Sequence, residues 1–210
     1  MGNTSTVLVS KEDMMSEASQ KSLTDPTDIS KAPITFESLY KEGPGPVVFK
    51  FLRRFGCILC REGASDLTSL KPLLDEKYGK GVVDWIGIGL ERLGYDEFKK
   101  GDYFKGKLYL DESRELYKAL GFVELGKVES AAKLLTGGTL QKVSESKSKG
   151  FEGDLKGNKT QLGGVLVMSP TGEVLYYFRQ ENFGDEPMKE EVLKAIENYF
   201  VASRQDQPKL

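Results

Sequence analysis

Only two cysteines occur in the 210 residues, and they stand three positions apart, at Cys57 and Cys60. Scattered at random in a chain of this length, two cysteines would take that spacing about once in a hundred trials. Just upstream, Gly43-Pro44-Gly45-Pro46 reads as a turn and Val47-Val48-Phe49-Lys50-Phe51-Leu52 as a short buried strand. Downstream, Ile58 to Tyr78 has helical spacing. Leu59, Leu67, Leu70, Leu73 and Leu74 share a broad face, Pro72 is a place for a kink, and Gly79 and Gly81 end the run. The pair therefore lies where a strand gives way to a helix.

The remaining elements follow the same style of reading. Val82 to Gly89 reads as a second strand, Tyr95 to Lys100 as a short helix and Leu108-Tyr109-Leu110 as an extended piece. Asp111 or Ser113 can then cap a helix running to Leu120. From Val123 to Thr160 the pattern weakens, with helix-like stretches at Ala131 to Leu135 and Leu140 to Lys147 between glycines, and it reads as an insertion or cover. Val165-Leu166-Val167-Met168, the turn Ser169-Pro170-Thr171-Gly172 and Val174 to Phe178 form a hairpin. Pro187 opens a closing amphipathic helix with Val192, Leu193, Ile196, Tyr199 and Phe200 on its apolar side. Strand, helix, strand, helix, hairpin, helix is the order of an α/β thioredoxin-like fold: a central mixed sheet flanked by helices, with an insertion before the final hairpin. The boundaries expected are a flexible polar arm over 1–31, one domain over 32–203 and a polar tail over 204–210.

Composition narrows the chemistry. Apolar residues make up 39% and charged residues 30%, as in an ordinary globular domain. Thirty Lys and Arg against 32 Asp and Glu leave a net charge of −2, with no basic surplus to attract nucleic acid. There is no histidine, which excludes Ser-His-Asp and Cys-His hydrolysis and any His-ligated metal. No secretory leader or membrane-length apolar run is visible, so a cytosolic location is expected. Met1-Gly2-Asn3-Thr4-Ser5-Thr6 fits the N-myristoylation pattern, although one acyl chain without a polybasic patch would hold a membrane only weakly.

A sulfur at the start of a helix meets unpaired backbone N–H groups and the positive end of the helix dipole. Its thiolate is stabilised there, which populates the nucleophile at neutral pH. Arg53, Arg54 and Arg61 flank the motif and lower the pKa further if they point inward; Gly56 would let backbone approach a substrate closely. Cys60, one turn on, returns to the same side and can close a disulfide once Cys57 has reacted. Blander readings stay open: two inert core cysteines, a metal site completed by carboxylates or a second subunit, and arginines that merely rim the surface. Gly87-Ile88-Gly89 with Gly94 imitates a dinucleotide loop, but the third glycine is misplaced and strand packing explains it better. Asp111, Glu112 and Glu115 read as a helix start rather than an acid/base pair.

Several blocks carry a resemblance. Arg53-Arg54-Phe55-Gly56-Cys57-Ile58-Leu59-Cys60-Arg61, Gly101-Asp102-Tyr103-Phe104, Leu108 to Ser113 and Leu116 to Phe122 are similar to the peroxiredoxin-like family of the alkyl hydroperoxide reductase and thiol-specific antioxidant superfamily. Gly153 to Gly157 and Gln161 to Gly164 fit it too. The resemblance covers roughly residues 45 to 200. It implies a thioredoxin-like fold and reduction of the endoperoxide of prostaglandin H, or of its ethanolamide, to the F-series diol. Two departures stand against an ordinary peroxidase or disulfide exchanger. The Pro-x-x-x-Thr/Ser-x-x-Cys signature is missing before Cys57, and Gln161-Leu162-Gly163-Gly164 replaces the proline that thioredoxins place before the third core strand.

The function expected is thiol-dependent reduction of a peroxide O–O bond through a Cys57–Cys60 disulfide, with Arg54, Arg61 and Gly56 as supporting residues. No cofactor is expected on the chain; a thioredoxin-type donor would restore the thiols, with NADPH as the ultimate electron source. A general hydroperoxide reductase, or a redox-regulated binding protein, are the alternatives.

Overall fold

The computed structural model describes residues 11–28, 30–135 and 138–205. In chain order the elements are α1 (Lys11–Ser19), β1 (Ser22–Leu23), β2 (Ile34–Thr35), α2 (Phe36–Lys41), β3 (Val47–Phe51), α3 (Ile58–Thr68), α4 (Lys71–Tyr78) and β4 (Asp84–Gly89). Then come α5 (Tyr95–Lys100), β5 (Lys107–Leu110), α6 (Glu115–Ala119), α7 (Lys127–Leu135), α8 (Thr139–Ser148), β6 (Gly164–Met168), β7 (Val174–Arg179) and α9 (Lys189–Gln205).

Five strands form one mixed sheet in the order β5-β4-β3-β6-β7. β3 runs parallel to β4 and antiparallel to β6, and β4 runs parallel to β5. A strand paired on both sides and covered on both faces has no solvated side, which is why β3 is a continuous rather than an alternating apolar run. Its side chains still alternate. Val47, Phe49 and Phe51 join Phe36, Ile86, Tyr117 and Leu166 on one face. Val48 joins Leu67, Trp85, Val165, Val192 and Ile196 on the other, the face covered by α3 and α9. The chain leaves β3 at the centre of the sheet and enters α3 through the segment that carries the cysteines.

Two elements differ from expectation at their joints. The helical run from Ile58 to Tyr78 is broken rather than kinked: Ser69 and Leu70 separate α3 from α4, and Pro72 sits in the first turn of α4, where its missing N–H costs nothing. Neither Asp111 nor Ser113 is the boundary residue of α6, which is Arg114 at φ 61°. Both still serve the helix start. The Asp111 carboxylate accepts from Tyr117 N at 3.0 Å, and Ser113 Oγ accepts from Glu115 N at 3.3 Å. The stretch from 123 to 160 contains α7 and α8, and α8 lies against α3 as a cover.

The flexible arm over 1–31 requires correction from residue 11 onward. α1 packs Met15 and Ala18 into the core, and Leu23 is fully buried. Thr24 exchanges backbone hydrogen bonds with Leu110, at 3.0 and 2.9 Å, and so covers the open edge of β5. Three apolar side chains in a polar segment were too sparse a signal to read, but the sheet face supplies the partners. The Gly2 motif lies outside the described residues. At the other end α9 runs to Gln205, past the expected boundary at 203.

The end of β3 is tied by a buried hydroxyl. Tyr117 Oη donates toward the carbonyls of Leu52 at 2.8 Å and Ile88 at 2.7 Å, bridging the strands just before the cysteine segment. Replacing Tyr117 with Phe should therefore lower unfolding free energy by about 1–3 kcal/mol in a urea titration. Leu23→Ala should cost about 2–5 kcal/mol in the same assay, whereas no change would be seen if the segment were an arm without packing.

Candidate active site

Cys57 is the residue at which α3 begins. Its backbone is extended (φ −74°, ψ 124°), no acidic residue occupies the first helical turn, and its carbonyl accepts from Arg61 N at 3.0 Å. Upstream, Phe55 is buried against Tyr95 and Phe98, in space that Gly89 of β4 leaves open: a Cβ at residue 89 would lie 2.6 Å from the Phe55 ring. That contact pins the loop over the ends of the central strands. Gly87 is filled in the same way by Leu108, so Gly87-Ile88-Gly89 is strand packing.

Cys57 and Cys60 are both reduced and buried, with 3% and 4% of their surfaces exposed. The Cys60 thiol hydrogen-bonds to the Cys57 sulfur, which draws Cys57 well below the ordinary thiol range; Arg53 beside it acts in the same direction against burial. Cys60 moves the opposite way. Its donation to Cys57 and its burial push it well above that range. The sulfur at the helix start is thus the one favoured as thiolate.

The three arginines take three different places. Arg53 Nη2 donates to Cys57 Sγ at 3.2 Å, while the guanidinium rests on the Phe183 ring, 4.0 Å from its centroid. Arg54 also lies near enough to favour the Cys57 thiolate, but its Nη1 donates to Lys156 O at 2.6 Å. The Nε groups of Arg53 and Arg54 are buried without a hydrogen-bond partner. Arg61 is turned away from the sulfurs. Its Nε donates to Phe55 O and its Nη1 to Glu152 O, each at 2.9 Å. It braces the loop instead of the sulfur, because its N–H groups, reaching back toward the helix start, are taken by carbonyls of the loop and the strap.

Gly56 also differs from expectation. Asp154 N donates to Gly56 O at 2.7 Å, and a Cβ on Gly56 would lie 2.6 Å from the Asp154 carboxylate. The close approach is the chain to itself: residues 152–156 form a strap over the cysteine segment, held by Arg54 and Arg61. Asp154 and Phe183 were not legible as site residues, since both lie about a hundred positions away in weakly patterned sequence. Among the described residues no group of three or more Cys, Asp or Glu is gathered closely enough to hold a metal ion.

Comparison with known proteins gives this geometry its setting. Residues 66–182 match the family model described as AhpC/TSA antioxidant enzyme. The chain belongs to that family. It is 42% identical over 164 residues to the prostamide/prostaglandin F synthase of Homo sapiens, covering 78% of this chain and 80% of that one. The synthase of Salmo salar is 36% identical over 170 residues, 80% and 82% of the two chains. Among solved structures, the Xanthomonas campestris bacterioferritin comigratory protein, described for alkyl peroxide reduction, aligns with a TM-score of 0.55 at 14% identity over 87% of this chain and 94% of that one. Enterococcus faecalis AhpC aligns at 0.55 and 12% identity over 90% and 92%. The fold is thioredoxin-like, and the protein is an oxidoreductase of this peroxiredoxin-like family. The matched family segment starts after Cys60, so the roles of the two cysteines rest on the site geometry. Among the described residues no helix is long and apolar enough to cross a membrane.

Replacing Arg53 with Met should move the pH midpoint of Cys57 alkylation upward by about one to three units, because a cation within contact distance favours the thiolate by that much. Iodoacetamide labelling of a Cys60→Ser background across pH, read by mass spectrometry, measures it; the same change at Arg61 should leave the midpoint in place.

Proposed function

We propose that Cys57 is the nucleophile and Cys60 the resolving thiol of a two-cysteine peroxide reductase whose substrate is a lipid endoperoxide of the prostaglandin H type. The observation that carries this reading is Cys57 at the start of α3, its sulfur accepting from the buried Arg53 guanidinium, with Cys60 one turn later. The Cys57 thiolate attacks one oxygen of the O–O bond, forming an S–O bond while the second oxygen departs as an alkoxide. The Arg53 guanidinium beside the sulfur suits the negative charge that develops there. Cys60 then attacks the Cys57 sulfur, expelling the first oxygen as the second alkoxide. Two protons complete the diol, and the two thiols have become one disulfide.

Support for a lipid comes from two sides. The relatives at 36–42% identity carry the name prostamide/prostaglandin F synthase. In addition Leu93 (48% exposed) and Leu155 (71%) present apolar surface, on the loop beside Gly94 and on the strap respectively, flanking the cysteine segment. A general hydroperoxide reductase is the second reading, favoured by the depth of the pair: at 3% exposure Cys57 is reached more readily by a small peroxide. The disulfide returns to thiols through an outside donor of thioredoxin type, with NADPH supplying that donor.

With a thioredoxin recycling system, turnover of prostaglandin H should exceed that of hydrogen peroxide at equal concentration; the reverse order would favour the second reading. Cys57→Ser should reduce turnover of either substrate to the uncatalysed rate, and Cys60→Ser should trap a sulfenate or substrate adduct on Cys57, seen by mass spectrometry. Retained turnover in Cys57→Ser would overturn the assignment.

A further inference from the structure

Lys50 is the one charged residue in the apolar run of β3, and it is 1% exposed. Alternation along the strand turns it, like Val48, toward the face covered by α3. Its ammonium pairs with the carboxylate of Glu186, from the segment after β7. That segment packs against the start of α3 and the arginine beside Cys57. Phe183 supports Arg53, and Gly184 abuts Leu59, since a Cβ there would stand 2.8 Å from Leu59 Cδ1. The Glu186 carboxylate occupies the space beside α3 that a side chain at Gly63 would fill. Gly63 is three residues after Cys60, hence on the same side of the helix. Gln180 Nε2 donates to Glu186 Oε1 at 3.3 Å, and the outer part of the Glu186 side chain, 26% exposed, opens on a cavity of about 190 Å³ between α3, α8 and Gly184.

An ion pair under a helix stabilises the fold no better than two apolar residues of the same volume would, because desolvation offsets the attraction. Its placement answers a chemical need. Cys60 must lose its proton as it attacks the Cys57 sulfur, it is buried, and the chain has no histidine. Around the cavity several ion pairs form, and that of Glu186 is the one whose lysine is buried in the sheet. Glu62 holds Lys149 and Ser146, Asp66 holds Lys189, Lys142 holds Asp185, and Glu145 accepts from Gln141.

We propose that Glu186 and Lys50 form the proton exit of the cysteine pair: Glu186 takes up the proton that Cys60 releases on closing the disulfide and passes it to water in the cavity, while Lys50 holds the carboxylate in place. In that step the Cys60 S–H bond breaks and the Cys60–Cys57 S–S bond forms. The leaving group departs from the Cys57 sulfur with its electron pair, and the carboxylate becomes a carboxylic acid until water removes the proton. Burial pushes the Glu186 carboxyl up, against the pull of Lys50, which improves it as an acceptor. The proposal rests on the reading of Cys57 and Cys60 as nucleophile and resolving thiol.

A chromogenic aryl disulfide tests it without any peroxide. Attack by Cys57 releases one aryl thiol, and closure by Cys60 releases a second, in a phase that Cys60→Ser must lack. Glu186→Gln should slow the second phase about tenfold or more at neutral pH, the loss expected when a general base is removed, without slowing the first phase. Its closure rate should also climb more steeply with pH than that of the unaltered protein, as hydroxide replaces the lost acceptor. Lys50→Met, checked for a native circular dichroism spectrum, should slow the same phase. If Glu186→Gln does not fold, Glu186→Asp, which keeps the charge and shortens the reach, should give a slowed closure with the original pH slope. Closure rates and pH slopes equal to those of the unaltered protein would overturn the proposal while leaving the cysteine roles intact. Absence of a second release from the unaltered protein would instead remove the cysteine reading itself.

Discussion

The guanidinium of Arg53 lies between the Cys57 sulfur, 3.2 Å from its Nη2, and the face of Phe183, 4.0 Å from its carbon. At an effective dielectric of about 20, a thiolate and a cation at that separation attract by roughly 5 kcal/mol. Withdrawing both from water costs several kcal/mol per ion. The two magnitudes are close, so the site depends on what else supports the pair: the helix start beneath the sulfur, the thiol of Cys60 and the aromatic face beneath the cation. Each is delivered by a different part of the fold. β3 carries Arg53 to the centre of the sheet, α3 begins at Cys57, and the loop after β7 brings Phe183 from the far end of the chain.

Burial has a second consequence. With both sulfurs nearly enclosed, hydrogen bonds within the site act in a medium poorer than water and are correspondingly stronger. The strap over 152–156 maintains that enclosure through backbone carbonyls held by Arg54 and Arg61. Three arginines within nine residues thus divide the labour, one on the sulfur and two on the cover. This division explains why a positive cluster beside the cysteines does not act as a single electrostatic patch.

The sheet and most helices could be read from the chain because their signals are local. β3, β4 and the β6–β7 hairpin are runs of β-branched and aromatic residues bounded by turns, and α9 shows its apolar side at helical spacing. Elements that failed to announce themselves borrow their stability from elsewhere. α1 has few apolar residues and forms because the face of β3 and α2 offers a place for Met15 and Ala18. The arginines show the same limit more sharply. Their number and neighbourhood are visible in the sequence, but the direction of each is set by which acceptor lies within reach. Arg61 finds carbonyls of residues 55 and 152. Lys50 is a lone charge in an apolar strand, and its partner lies 136 residues on, beyond any local pattern.

By itself, then, the sequence determined the strand-to-helix junction that holds Cys57 and Cys60, the absence of histidine, and with them the kind of chemistry open to the chain. These depend on residue type and short spacing, which chain geometry converts directly into position. Tertiary structure decided which arginine touches the sulfur, what covers the pair and which carboxylate lies beside its helix. The cover and the carboxylate come from contacts between segments 91 to 136 residues apart, and packing selects them only when the sheet brings those segments together.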